Sequence, residues 1–130
     1  MHIVFVCTGN ICRSPTAQAV LRQRIDTRGL GDRLSVSSAG LEAWHAGDGP
    51  DRRSIHHARQ RGYQMSDLRA RPLRGEEFEV ADWVLVMDAG RLAVVRVGHL
   101  AGIMHTAEVG QQSQLVRMLR RLIALVSRVV

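Results

Sequence analysis

Residues 2–15 read His-Ile-Val-Phe-Val-Cys-Thr-Gly-Asn-Ile-Cys-Arg-Ser-Pro. Residues 2–6, a short apolar and largely β-branched run, read as a buried parallel strand. A polar turn containing Gly9 follows, from Thr8 to Arg13. Ser14-Pro15 then opens a helix, since serine suits an N-cap and proline the first helical position. Ala17, Val20, Leu21 and Ile25 recur at helical spacing, and Gly29 and Gly31 close the element. Strand, short turn and helix in this order begin a parallel α/β unit, whose sites form at the carboxyl ends of strands.

The pattern repeats outward from there. Leu34–Ser38 can form a second strand, followed by a loop from Ala39 to Gly49 that carries three glycines and Trp44. Pro50 opens a helix that runs to about Arg61, where Gly62 suits the C-terminal cap. Residues 63–75 are irregular and arginine-rich, residues 76–81 a short helix or turn, and Trp83–Met87 a third buried strand. Beyond Asp88 the reading is a helix at Leu92–Val97, a fourth strand at Leu100–Met104 and a last amphipathic helix over residues 113–129. Alternation of this kind predicts an α/β fold of three layers, α/β/α, with a four-stranded parallel sheet and right-handed crossovers. One domain, residues 1–130, is expected at this length.

Aromatic residues make up only 4% of the chain, so the core has to rest on Val, Leu, Ile, Ala and Met. The two cysteines, Cys7 and Cys12, sit in one turn, which is thiol chemistry rather than a disulfide framework. Met1–Val6 is too short for a signal peptide or a membrane span, so a cytoplasmic location is expected. All the basic residues are arginine, and the net charge of +6 is concentrated after Asp88, where Glu108 is the sole acid. Those arginines lack interleaved aromatics and any nucleic-acid motif, so nucleic acid is not expected as a partner. The basic last helix is expected to cover the sheet rather than to lie on a membrane.

Chemistry concentrates in residues 7–14, Cys-Thr-Gly-Asn-Ile-Cys-Arg-Ser. Six residues curling between a strand end and a helix start can aim backbone N–H groups inward as an anion nest, formed here by Thr8, Gly9, Asn10, Ile11, Cys12 and Arg13. Gly9 and Asn10 tolerate the left-handed backbone that a tight nest needs. Arg13 can hold two phosphate oxygens at once. Together with the helix N-terminus these groups favour a Cys7 thiolate, which could attack phosphorus in line. Ser14 can donate a hydrogen bond to that sulfur.

Val6 to Ala17, Val-Cys-Thr-Gly-Asn-Ile-Cys-Arg-Ser-Pro-Thr-Ala, resembles the signature loop of the low-molecular-weight protein-tyrosine phosphatases. Ser37-Ser38-Ala39-Gly40, Gly47 to Arg53, Arg69-Ala70-Arg71-Pro72-Leu73 and Val84-Leu85-Val86-Met87-Asp88 are similar to further family segments, so the likeness runs over about residues 1–92. The resemblance implies a phosphotyrosine-phosphatase-I, flavodoxin-like fold and hydrolysis of phosphate monoesters, phosphotyrosine in proteins first among them, with inorganic phosphate as product. It implies that Cys7 becomes phosphocysteine, that Arg13 binds the phosphoryl group, and that Asn10, Ser14 and Ser38 support the loop. It places Trp44 in the wall of the substrate cleft and gives Cys12 a redox role, as a reversible disulfide partner of Cys7. It implies neither metal nor other cofactor.

The family's general acid is an aspartate in an Asp-Pro-Tyr loop. Here no aspartate follows Asp88, no proline follows Pro72, and Tyr63 is the only tyrosine. A histidine that often supports the loop would fall near Leu68, and an asparagine near Gly90-Arg91 is replaced. Three explanations stand: Glu108, the one later carboxylate, supplies the acid; the enzyme works without one and turns over slowly; or the tail follows a different reading frame. The rivals to a phosphatase are an arsenate reductase of the same fold and a phosphoanion-binding module without turnover. His56-His57 have no third ligand at metal spacing, and Asp48 and Asp51 read as loop and helix N-terminal residues.

Overall fold

The computed structural model describes residues 1–88, 91–96 and 105–106. Strand β1 (His2–Cys7) leads into helix α1 (Arg13–Thr27), strand β2 (Ser35–Gly40), helix α2 (Arg52–Gln60), a single turn of helix α3 (Glu77–Val80) and strand β3 (Trp83–Asp88). Strands β4 (Arg91–Arg96) and β5 (His105–Thr106) complete the described elements. The sheet order is β2-β1-β3-β4-β5.

β1 is parallel to both β2 and β3, with His2 opposite Ser35, Cys7 opposite Gly40, and Phe5 opposite Leu85. The α/β class and the parallel heart of the sheet therefore agree with expectation. The count of four, all parallel, does not: five strands are described, with Arg91–Arg96 antiparallel to β3 and β5 antiparallel to β4. Residues 92–97 were expected to be helical. Val94 and Val95 are β-branched and prefer the pleated surface, and six residues beside the open edge of β3 gain a full ladder by pairing with it. The expected strand at Leu100–Met104 and the expected helix over residues 113–129 lie outside the described residues, as does Glu108.

The two faces of β1 bury different clusters. Ile3, Phe5 and Cys7 pack with Ala17, Val20, Leu21 and Ile25 of α1, with Ala58 of α2, and with Leu85 and Met87 of β3. Val4 and Val6 pack on the opposite face with Ala39, Ala81 and Val84, flanked by Leu73 and Phe78. Val4, Phe5 and Val6 are wholly buried, each side chain contributing on the order of 2 kcal/mol. A strand buried on both faces has to read as a continuous apolar run, as Ile3–Val6 does.

The ends of the helices depart from the sequence reading in one informative place. The N-cap of α1 is Cys12, without a side-chain cap, and Ser14 lies inside the helix. Its hydroxyl is used elsewhere, as described below. Helix α2 begins two residues after Pro50, where the Asp51 carboxylate accepts from the N–H groups of Arg53 and Ser54. Those N–H groups hold Asp51 below the usual carboxylate range. Among the described residues no helix is long and apolar enough to cross a membrane.

Candidate active site

The loop from Cys7 to Ser14 lies at the carboxyl end of β1 and runs into α1. Its carbonyl groups are bonded outward. Cys7 O accepts from Leu41 N–H at 2.9 Å, Thr8 O from Glu42 N–H at 2.9 Å, and Ile11 O from Asp51 N–H at 2.8 Å. Cys12 O accepts from both the backbone N–H and the hydroxyl of Thr16. In a planar trans peptide the N–H points opposite to the carbonyl. Outward carbonyls at Cys7, Thr8, Ile11 and Cys12 therefore turn the N–H groups of Thr8, Gly9, Cys12 and Arg13 toward the inside of the loop. That is an anion nest set at a helix N-terminus.

Asn10 fixes the curl. It is buried, and its φ of 55° makes it the only described non-glycine residue with a left-handed backbone. Such a conformation costs about 1 kcal/mol. Its side chain repays the cost with three hydrogen bonds. Nδ2 donates to Ser14 Oγ at 2.8 Å and to Ser38 Oγ at 2.9 Å, and Oδ1 accepts from Arg71 N–H at 3.0 Å.

These bonds occupy an acceptor site on each of the two serine hydroxyls. The Ser38 hydroxyl accepts from Asn10 and donates to Gln18 Oε1 at 2.7 Å. Ser14 also accepts from Asn10, so its own proton is free for Cys7 Sγ at 3.0 Å, with Ala39 O at 3.3 Å as the longer alternative. Ser14 therefore can donate to a thiolate, which is why its hydroxyl does not cap α1. Cys7 is buried, Cys12 is half-buried, and both thiols are free. Arg13 is half-buried, and its guanidinium reaches back to Thr8 Oγ1 at 3.4 Å. Gly40, across from Cys7 in β2, is required by packing. A Cβ there would stand 3.0 Å from the carbonyl oxygens of Thr8 and Glu42 and 3.2 Å from Asn10 Cβ.

The expected loop residues Cys7, Thr8, Gly9, Asn10, Ile11, Cys12, Arg13 and Ser14 are thus brought together, with Ser38 beneath them. Trp44 stands apart in the turn after β2 and is 75% exposed. Leu68, near where the family's supporting histidine would fall, packs against the apolar cluster. Two supports escaped the sequence reading. Gln18 lies one helical turn after Ser14, and that i to i+4 spacing was the available signal. Arg71 supports the loop through its backbone, for which a side-chain pattern gives no sign. Its guanidinium is held by Ser37 and by Glu77. Burial opposes the charge of Glu77, but bonds from Arg71 and from Arg74 N–H prevail and hold its carboxyl below the usual range.

Residues 2–123 match a family model described as low molecular weight phosphotyrosine protein phosphatase. A low molecular weight protein-tyrosine-phosphatase of Streptomyces coelicolor is 43% identical over 95 residues, which are 73% of this chain and 57% of that protein. The low molecular weight protein-tyrosine phosphatase A of Mycobacterium tuberculosis is 38% identical over 120 residues, 92% of this chain and 66% of that protein. This chain thus spans less than two thirds of the length of either relative. A solved protein tyrosine phosphatase from Entamoeba histolytica superposes with a TM-score of 0.65 at 38% identity, covering 69% of this chain and 57% of its own.

Proposed function

This chain belongs to the low molecular weight phosphotyrosine protein phosphatase family, and we propose that it hydrolyses phosphate monoesters, phosphotyrosine in proteins first among them, through a phosphocysteine on Cys7. The observation that carries the reading is the Ser14 hydroxyl, 3.0 Å from Cys7 Sγ, whose oxygen accepts from Asn10 so that its proton is available to Cys7 or to Ala39 O. A serine buried at a helix start and oriented toward a sulfur has little use unless that sulfur carries charge.

In the proposed reaction the phosphoryl oxygens take the inward N–H groups of the loop and the guanidinium of Arg13. The charge that develops on those oxygens meets donors that are already oriented and need no reorganisation. The Cys7 thiolate attacks phosphorus, the ester P–O bond breaks, and Ser14 lowers the energy of the sulfur as it leaves in the second step. Water then releases inorganic phosphate. Cys12 is the thiol available to close a reversible disulfide with Cys7 under peroxide. Free thiols at both positions suit a reducing compartment, consistent with a cytoplasmic enzyme. Small phosphate monoesters are expected to serve as well as phosphoproteins.

The test is a trap. Rapid acid quench during turnover of a radiolabelled phosphotyrosine peptide is expected to leave label on the protein, and Cys7→Ser to abolish both label and turnover. Turnover that survives Cys7→Ser sinks the mechanism. Phosphate binding without turnover in the unmodified chain would instead identify a phosphoanion-binding module.

A further inference from the structure

His2 begins β1, at the end of the strand opposite the nest. Its ring is half-buried against two hydroxyls of β2: Nδ1 lies 2.7 Å from Ser35 Oγ and Nε2 3.0 Å from Ser37 Oγ. Ser37 Oγ has a second neighbour in the Arg71 guanidinium, whose Nη2 donates to it at 3.4 Å and also to Glu77 Oε1. Arginine only donates, so one acceptor position on Ser37 is already taken by a cation. Neutral His2 fits this arrangement in either tautomer. Nε2 accepts the Ser37 proton, or Nε2–H donates while Nδ1 accepts from Ser35. The imidazolium has no such choice. Both of its nitrogens donate, so Ser37 Oγ has to accept from two cations at once. Among the described residues, Glu77 and Asp82 attract the imidazolium, Asp82 also accepting from His2 N–H at 2.6 Å, while Arg71 and the Met1 amino group oppose it. Burial is the largest influence and holds the ring below the ordinary imidazole range.

Arg71 carries this contest to the nest. Its N–H donates to Asn10 Oδ1 at 3.0 Å, and its carbonyl accepts from Gly40 N–H at 2.8 Å. Asn10 is the left-handed residue that sets the curl, and Gly40 packs against the carbonyl of Thr8. The side chain of Arg71 thus shares a hydroxyl with His2, while its main chain holds the loop. Along β1, His2 and Cys7 are five residues apart, about 16 Å. Dissolved salt screens direct charge effects over about 8 Å. The two ends of the strand therefore communicate through these bonds rather than by direct attraction or repulsion.

We propose that His2 is an acid switch on the phosphate loop: its protonation loosens the hold of Ser37 on Arg71 and so weakens the nest for anions. The switch rests on the reading of Cys7–Ser14 as a phosphate site. It lowers the capture of phosphate esters as the medium acidifies, with no change at Cys7 or Arg13 themselves. Ser37 and Arg71 are positioning residues in it, and Glu77 is the carboxylate that keeps Arg71 in place when Ser37 is lost to it.

The probe is inorganic sulfate, which stays doubly charged across the imidazole range. In the Cys7→Ser chain, where no thiolate titrates at the nest, the His2 Cε1–H signal is followed by NMR against pH, with and without saturating sulfate at constant ionic strength. His2→Gln assigns the signal. By linkage, an anion that binds the protonated form more weakly lowers the His2 midpoint; a fall of about 0.5 is expected, equal to about 3-fold in sulfate affinity. Direct attraction between a bound dianion and the imidazolium would raise the midpoint, so the sign decides. Ser37→Ala should abolish the fall, and Ser35→Ala, which removes a bond to the ring off the path to Arg71, should keep it. An unchanged or raised midpoint overturns the switch, as does a fall that survives Ser37→Ala, and the nest still stands if sulfate moves the Gly9 and Arg13 amide signals. If sulfate moves neither amide, the phosphate reading falls first and the switch with it.

Discussion

The loop Cys7–Ser14 and the turn Leu41–Asp48 stand side by side at the ends of β1 and β2, and they are built in opposite ways. In the loop, Asn10 and Ser14 are buried and the Asn10 amide donates in fixed directions to Ser14 and Ser38. In the turn, Leu41 and Trp44 are exposed by 52% and 75%, and apart from one His45–Asp48 side-chain bond it is the backbone that is tied down. On the proposed reading, the phosphoryl group is the same in every substrate and rewards a rigid nest. What surrounds it varies, and an exposed wall can adapt to it.

The largest test of this contrast is Asn10→Ala. It removes three hydrogen bonds, among them the one that takes the Arg71 N–H, so unfolding in urea should show a loss of about 3 kcal/mol, with phosphate affinity lost as well. Gly40→Ala comes next. Its Cβ meets backbone carbonyls that cannot swing aside, and a cost of about 2 kcal/mol is expected by the same measurement. A smaller effect is expected beneath the site, at Arg71 and Glu77. Glu77→Gln should cost about 0.5–1 kcal/mol at neutral pH. Trp44→Ala should change stability by less than about 0.5 kcal/mol while raising KM for a phosphotyrosine peptide. A Trp44 variant that unfolds the protein would erase the contrast.

Acid offers a further probe of the side of the sheet where Arg71 lies. Glu77 is held below its usual range, so the folded protein binds fewer protons there than the unfolded chain does. The stability it contributes is present above the unfolded pKa and is lost as pH falls through the folded value. His2 acts in the same direction. Burial holds its ring below the ordinary imidazole range, with Nδ1 against Ser35 at 2.7 Å and Nε2 against Ser37 at 3.0 Å. The Tm should therefore fall on acidification, first through the imidazole range and then through that of Glu77. Glu77→Gln should flatten the second fall.

The loop and its strand were legible because both obey local rules. Ile3–Val6 is apolar throughout, and Gly-Asn before Arg-Ser-Pro announces a tight turn into a helix. Ser38 was reached only through likeness to a family, since nothing in its neighbourhood points to Asn10. Gln18 and Arg71 were missed for separate reasons. Gln18 acts through one carbonyl oxygen and Arg71 through its main chain. The helix expected at Leu92–Val97 failed because the pairing edge of β3 outweighed an ambiguous short apolar run. No local pattern reveals an open edge.

The bond from Arg71 N–H to Asn10 Oδ1 spans 61 residues, and this has a consequence for how the protein folds. β1, α1 and β2 are neighbours along the chain and can assemble early, at little cost in loop closure. The nest cannot take its final curl until the segment around Arg71 arrives from much farther away. On dilution from denaturant, helical signal should return before affinity for phosphate does. The interval between the two is the time in which Cys7 is exposed to oxidants without the enclosure that the finished loop provides.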